Sequence, residues 1–165
     1  MRLISKIKKS AIIISFTVTS ILIKGQSRVL ILDDQQKISV YDSFKGNNIV
    51  NYLMNDTIKE DYFVIEVLSS KNNRYQIEGT SILNKGITGW IDLQNIGINT
   101  RSRDNKLILY NEPRYSSDHV VISDTDRLVK VKSISSAWLK IVWIDKKEYW
   151  LPPEYQCPNP YTTCN

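Results

Sequence analysis

One histidine and two cysteines are all that this 165-residue chain offers to metal or nucleophile chemistry. His119 stands in Ser116-Ser117-Asp118-His119, a stretch that reads as a loop, and the cysteines, Cys157 and Cys164, sit together near the C-terminus. A zinc site wants several such ligands in register, and a Cys-His hydrolase wants a free thiol beside a histidine. The six glycines are dispersed, so no GxGxxG, P-loop or GxSxG forms, and HExxH is missing as well. Asp33 with Asp34, and Asp124 with Asp126, lack the length and ligand order of a calcium loop; turn chemistry accounts for them. Asn55-Asp56-Thr57, which fits the glycosylation triplet, is likewise read as a turn. The expectation is a non-enzymatic chain with no metal and no cofactor.

A long apolar run is missing too. The most hydrophobic stretch, Ala11 to Ile23, falls short of the roughly 20 residues that span a bilayer. It follows a positive start, Arg2, Lys6, Lys8 and Lys9, and precedes a small residue, Gly25, which is the order of a secretory signal peptide. Residues 1–25 are therefore expected to be a cleaved leader that leaves no stable membrane anchor. Ile23, at the −3 position, makes the cleavage site a weak one. The leader also explains the charge: of 22 Lys+Arg, five lie in residues 1–25, leaving 17 against 17 Asp+Glu. A near-neutral remainder with no basic cluster lacks the field that drives nucleic-acid binding, and that class is excluded. The expected location is the periplasm or the cell surface.

Export changes the reading of the cysteines. In an oxidising compartment, Cys157-Pro158-Asn159-Pro160-Tyr161-Thr162-Thr163-Cys164 is read as a disulfide-closed tail. Closing so short a loop restricts the unfolded chain by about 2–3 kcal/mol in the loop-entropy account.

What the chain does hold is short β-type runs. Val, Ile, Tyr and Trp alternate with polar residues and are broken by Asn, Asp, Gly, Ser and Lys clusters, with no helical stripe. Strands are predicted at Val29–Leu32, Lys37–Tyr41, Tyr62–Leu68, Arg74–Glu78, Gly86–Ile91, Leu107–Tyr110, Arg127–Ser133, Trp138–Ile144 and Glu148–Leu151. Lys71-Asn72-Asn73 and Ile144-Asp145-Lys146-Lys147 read as hairpin turns. The runs also repeat in order. Ile38-Ser39-Val40-Tyr41-Asp42 matches Leu107-Ile108-Leu109-Tyr110-Asn111, Tyr75-Gln76-Ile77 matches Leu139-Lys140-Ile141, and Gly89-Trp90-Ile91 matches Tyr149-Trp150-Leu151. The first copy carries extra residues between Ile77 and Trp90.

At these residues the sequence resembles the bacterial SH3-like domains of exported proteins. Leu109-Tyr110-Asn111 is similar to their opening strand, Trp138-Leu139-Lys140-Ile141 to their central strand, and Tyr149-Trp150-Leu151-Pro152-Pro153-Glu154-Tyr155 to their closing segment. The Cys157 to Cys164 tail is similar to that of a group of exported proteins with paired SH3-like domains. The resemblance implies an all-β fold: after the leader, two tandem SH3-like small barrels at residues 26–100 and 101–165. It also implies a shallow ligand groove lined by Tyr110, Trp138, Pro152 and Tyr155. Aromatic grooves of this kind suit an extended peptide, here a protein segment or a cell-wall stem peptide from peptidoglycan. Strand alternation turns Leu139, Ile141 and Trp143 inward and Trp138 outward, while Trp90, Trp143 and Trp150 are expected in the core. In the first copy Asp92 and Asn95 replace Pro152 and Tyr155, so that half is expected to be a support or partner surface. The rival expectation is a structural role in which exposed aromatics, Tyr110 or Tyr155 among them, mediate domain packing or homodimerisation.

Overall fold

The computed structural model describes residues 27–32, 37–123 and 126–159. The predicted leader, the Asp33-Asp34 and Asp124 turns, and Cys164 with its expected bridge lie outside the described residues. Within them the chain is all-β, as its alternation requires. The strands are β1 (Ser27–Ile31), β2 (Ile38–Tyr41), β3 (Ile49–Leu53), β4 (Phe63–Lys71), β5 (Arg74–Ser81), β6 (Gly86–Asp92), β7 (Ile96–Thr100), β8 (Leu107–Tyr110), β9 (His119–Ile122), β10 (Leu128–Ser135), β11 (Trp138–Val142), β12 (Glu148–Leu151) and β13 (Gln156–Cys157). Two 3₁₀ turns, Leu93–Asn95 and Pro153–Tyr155, precede β7 and β13.

All pairings are antiparallel and belong to one sheet, in the order β3, β2, β6, β5, β4, β1, β7, β10, β11, β12, β8, β9, with β13 added beside β7. The sheet is open, ending at β3 and β9, so its ladder does not by itself draw the closed barrels that the resemblance implies. What it does show is the repeat. β2 pairs β3 and β6 as β8 pairs β9 and β12, and Tyr41 opposite Trp90 has its counterpart in Tyr110 opposite Trp150. The ladder β4–β5–β6 recurs as β10–β11–β12. Even the bulge recurs, between Val67 and Ser69 in one and between Val131 and Ser133 in the other.

β7 serves both halves. It pairs β1 as β13 pairs β7, and it flanks β10 as β1 flanks β4. Gly97 sits opposite Leu30 on one side and Lys130 on the other. A Cβ there would come within 2.9 Å of the Val129 carbonyl oxygen and strike the Leu32 side chain, so backbone proximity selects glycine.

Burial follows period two. Phe63, Ile65 and Val67 of β4 face Tyr75 and Ile77 of β5, and Val129, Val131, Leu139, Ile141, Tyr149 and Leu151 do the same in the second half. Both sets belong to a single apolar cluster that includes Ile96 and Ile98 of β7. Two expectations change. Trp143 is buried, but Trp90 and Trp150 are only partly so, because each precedes a core aliphatic, Ile91 or Leu151, and alternation turns it to the other face. His119, expected in a loop, opens β9 opposite Tyr110.

Candidate functional site

The four residues implied by the resemblance come from three places at one end of the second half. Tyr110 ends β8, Trp138 opens β11, Pro152 caps the 3₁₀ turn and Tyr155 ends it. The turn forms because proline at its first position fixes φ, and the Tyr155 amide then donates to the Pro152 carbonyl at 3.1 Å. Arg101 clamps it, its amide donating to the Tyr155 carbonyl at 3.0 Å and its Nε to the Glu154 carbonyl at 2.8 Å. Gln156 Nε2 donates to the Ala137 carbonyl at 2.7 Å and to the Leu151 carbonyl at 3.1 Å, tying the turn before Trp138 to the end of β12.

The rings meet edge to face. Tyr110 and Trp138 lie 5.3 Å apart at 86°, and His119 lies 5.4 Å from Tyr110, tilted by 45°. The outward-facing Trp138 expected from alternation is nevertheless only 9% exposed, and Tyr110 and Tyr155 are 8% and 7% exposed; Pro152 is buried too. Alternation itself holds, for Leu139 and Ile141 are fully buried while Lys140 and Val142 are not. Part of the cover comes from the loop between β8 and β9. Tyr115, from that loop, lies 4.8 Å from Trp138, tilted by 59°, and 5.8 Å from Tyr110, edge-on, and its hydroxyl donates to Glu154 Oε2 at 2.9 Å.

Three phenols therefore feel one carboxylate, Glu154, and one of them bonds it. Desolvation first, and the Glu154 charge second, raise the pKa of Tyr110 and of Tyr155; desolvation and the hydrogen bond to Glu154 raise that of Tyr115. All three stay protonated at neutral pH, and the Tyr115 hydroxyl donates to Glu154. Tyr155 packs into the main core, whereas Tyr110 and Trp138 form a satellite beside it.

The first half places different chemistry at the same register positions. Arg74 opens β5 as Trp138 opens β11, and its guanidinium lies 3.6 Å from the centre of the Tyr41 ring. Its Nε donates to Asp92 Oδ1 at 3.1 Å, and its Nη1 donates to the Ser43 carbonyl at 3.2 Å and to that of Gly46. Asp92, the counterpart of Pro152, is thus half of an ion pair, and Phe44 packs 5.5 Å from Trp90. The groove position of this half is filled by its own arginine. Sequence reasoning missed Arg74, Tyr115 and Glu154. For Arg74 a signal existed: Trp138 becoming Arg74 while Pro152 becomes Asp92 is a coordinated exchange of rings for a charge pair.

Among the described residues no cluster of three or more His, Cys, Asp or Glu is placed to hold a metal ion, and no helix is long and apolar enough to cross a membrane. No protein-family model matches the chain, and no curated protein matches it either.

Proposed function

We propose that this chain is an exported, non-enzymatic binding module whose second half takes an extended peptide on the ring cluster around Trp138. In this reading the repeated ladder represents two SH3-like barrels that share β7, a leader directs export, and a Cys157–Cys164 bridge closes the tail beside the site. The ligand is a protein segment or a peptidoglycan stem peptide.

The observation that carries the reading is the convergence of Tyr110, Trp138, Pro152 and Tyr155 from separate elements onto one end of the second half, while the first half satisfies the same position internally through Arg74. Rings of this kind give contact area at little entropic cost, and an extended peptide arrives partly ordered. The test is intrinsic fluorescence during titration with proline-rich peptides and peptidoglycan fragments, using the parent and Trp138→Ala, each checked for an intact melt. Binding by the parent that is lost in the variant is expected. If Trp138→Ala binds whatever the parent binds, the groove assignment is wrong.

The rival assembly role finds support at different residues from those expected, since Tyr110 and Tyr155 are buried. Edge strand β3 exposes Ile49, Val50 and Tyr52, with Met54 following. Its edge is blunted, however, by a bulge between Val40 and Tyr41 pairings and by the Tyr52 amide donating to its neighbour's side chain, Asn51 Oδ1, at 2.8 Å. Sedimentation of the parent as a monomer would remove this rival.

A further inference from the structure

The two halves repeat in backbone but not in charge. On the face of the sheet turned away from the core, Glu66 precedes the bulge of β4 as Lys130 precedes that of β10. Gln76 stands opposite Trp90 as Lys140 stands opposite Trp150. Direct pairing runs from Val64 to Leu30 to Gly97 to Lys130, so these positions share one face of four adjacent strands, β4, β1, β7 and β10. Each half also leaves one charge over. Glu66 and Glu78 stand opposite each other, a like-charge pair that costs stability, and Arg28 answers only Glu66, at 3.7 Å. Glu78 is exposed and has no cation partner among the described residues. In the second half Glu148 bridges Lys132 at 3.3 Å and Lys140 at 2.7 Å, while Lys130 is exposed with no carboxylate partner among the described residues. The relief of the face differs in the same way. Arg28, Val64, Glu66, Glu78, Thr80 and Pro158 line an open groove of about 370 Å³ on the first-half side. On the second-half side Leu128, 46% exposed, and Lys130 project from β10.

We propose that a second copy of this chain docks on this face, with Leu128 and Lys130 of one copy entering the groove of the other and the Lys130 ammonium meeting Glu78. Groove and projection lie on one face, so a twofold axis between them, in the plane of that face, exchanges the two. Each contact then forms twice and the pair closes. Charge complementarity names the occupant. A partner of one sign answers Glu78 or Lys130 alone, whereas a second copy answers both. The surface uses no residue of the ring cluster, so it stands or falls apart from the peptide reading, and it is a different route to assembly from edge strand β3.

The test is sedimentation velocity over a concentration series, on the chain from residue 26 onward, which holds every described strand, with Glu78→Lys, Lys130→Glu and the double exchange. Both positions are exposed and unpaired, so the variants are expected to melt with the parent. The parent sediments as a dimer at the upper concentrations. Each single exchange sets like charges together twice and weakens the dimer by about tenfold or more. The double exchange restores it, as does an equimolar mixture of the two single variants. A parent that stays monomeric throughout overturns the proposal. So does a dimer untouched by the single exchanges, which puts the contact elsewhere, or an assembly that grows beyond two copies, which a closed pair forbids. Loss in both single variants with no rescue in the double overturns the pairing of Glu78 with Lys130.

Discussion

At the scale of single residues, Arg74 and Asp61 hold the first half in ways its sequence does not advertise. Arg74 stacks on Tyr41, pairs with Asp92 and donates to two loop carbonyls, with only 13% of its side chain exposed. Arg74→Ala removes all of these at once and leaves Asp92 without its partner. The expected loss is about 2–3 kcal/mol by urea denaturation, near the sum of a partly desolvated cation–π contact and a charged hydrogen bond. Lysine cannot reproduce a planar fork that stacks and donates together, so Arg74→Lys recovers only a minor part. Asp61 is buried between the Asp56–Asp61 turn and the tip of the β5–β6 hairpin. Its carboxylate accepts from Lys85 Nζ at 2.6 Å and from the Leu83 amide at 3.0 Å, and these hold its pKa at about 2, below the ordinary 3.8. A depressed carboxylate adds stability above its unfolded pKa and loses it as pH falls through the folded one. Relative to the parent, Asp61→Asn is therefore less stable at neutral pH, and the gap narrows between pH about 4 and about 2 in melting curves taken across that range.

At the scale of elements, β7 is the strand whose loss would matter most, because it is hydrogen-bonded into both halves. Gly97, its second residue, lies against the Val129 carbonyl and the Leu32 side chain. Gly97→Ala is expected to cost roughly 1–3 kcal/mol, the range for forcing extra volume into a packed site. Gly86→Ala serves as control, for its Cβ would meet nothing within 4 Å and its loss should stay under about 1 kcal/mol. The equivalent bulges in β4 and β10 argue that the repeat is one of backbone design as well as of side chains, since a bulge bends a strand at a set point.

At the scale of the whole molecule, one apolar cluster joins residues of both halves through β7. The chain from residue 26 onward is expected to unfold in a single calorimetric transition, with calorimetric and van't Hoff enthalpies equal. Ile65→Ala in the first half and Leu139→Ala in the second should each lower that same transition, by about 2–5 kcal/mol apiece. Two separable transitions, each moved by only one of the substitutions, would show that the shared strand does not couple the halves.

The all-β class, the hairpin at Asn72-Asn73, the order of the repeat and the core aliphatics were legible in the residues alone. Each is set by local chemistry: alternation of period two, and asparagines that tolerate the positive φ seen at 50° and 60°. Strands β3, β7, β9 and the two-residue β13 were not legible. β3 is exposed along most of its length and has no alternation to read, β7 carries a glycine that looks like a break until two neighbouring backbones are in place, and β9 is a short run beside a polar loop. The candidate site divides the same way. Tyr110, Trp138, Pro152 and Tyr155 are what the resemblance to SH3-like domains implies, but the burial of Trp138 against Tyr115, the bond to Glu154 and the occupation of the equivalent first-half position by Arg74 were not legible. Those depend on where a loop lands after the sheet has formed, and period two says only which face a side chain takes, not what else will come to rest on that face.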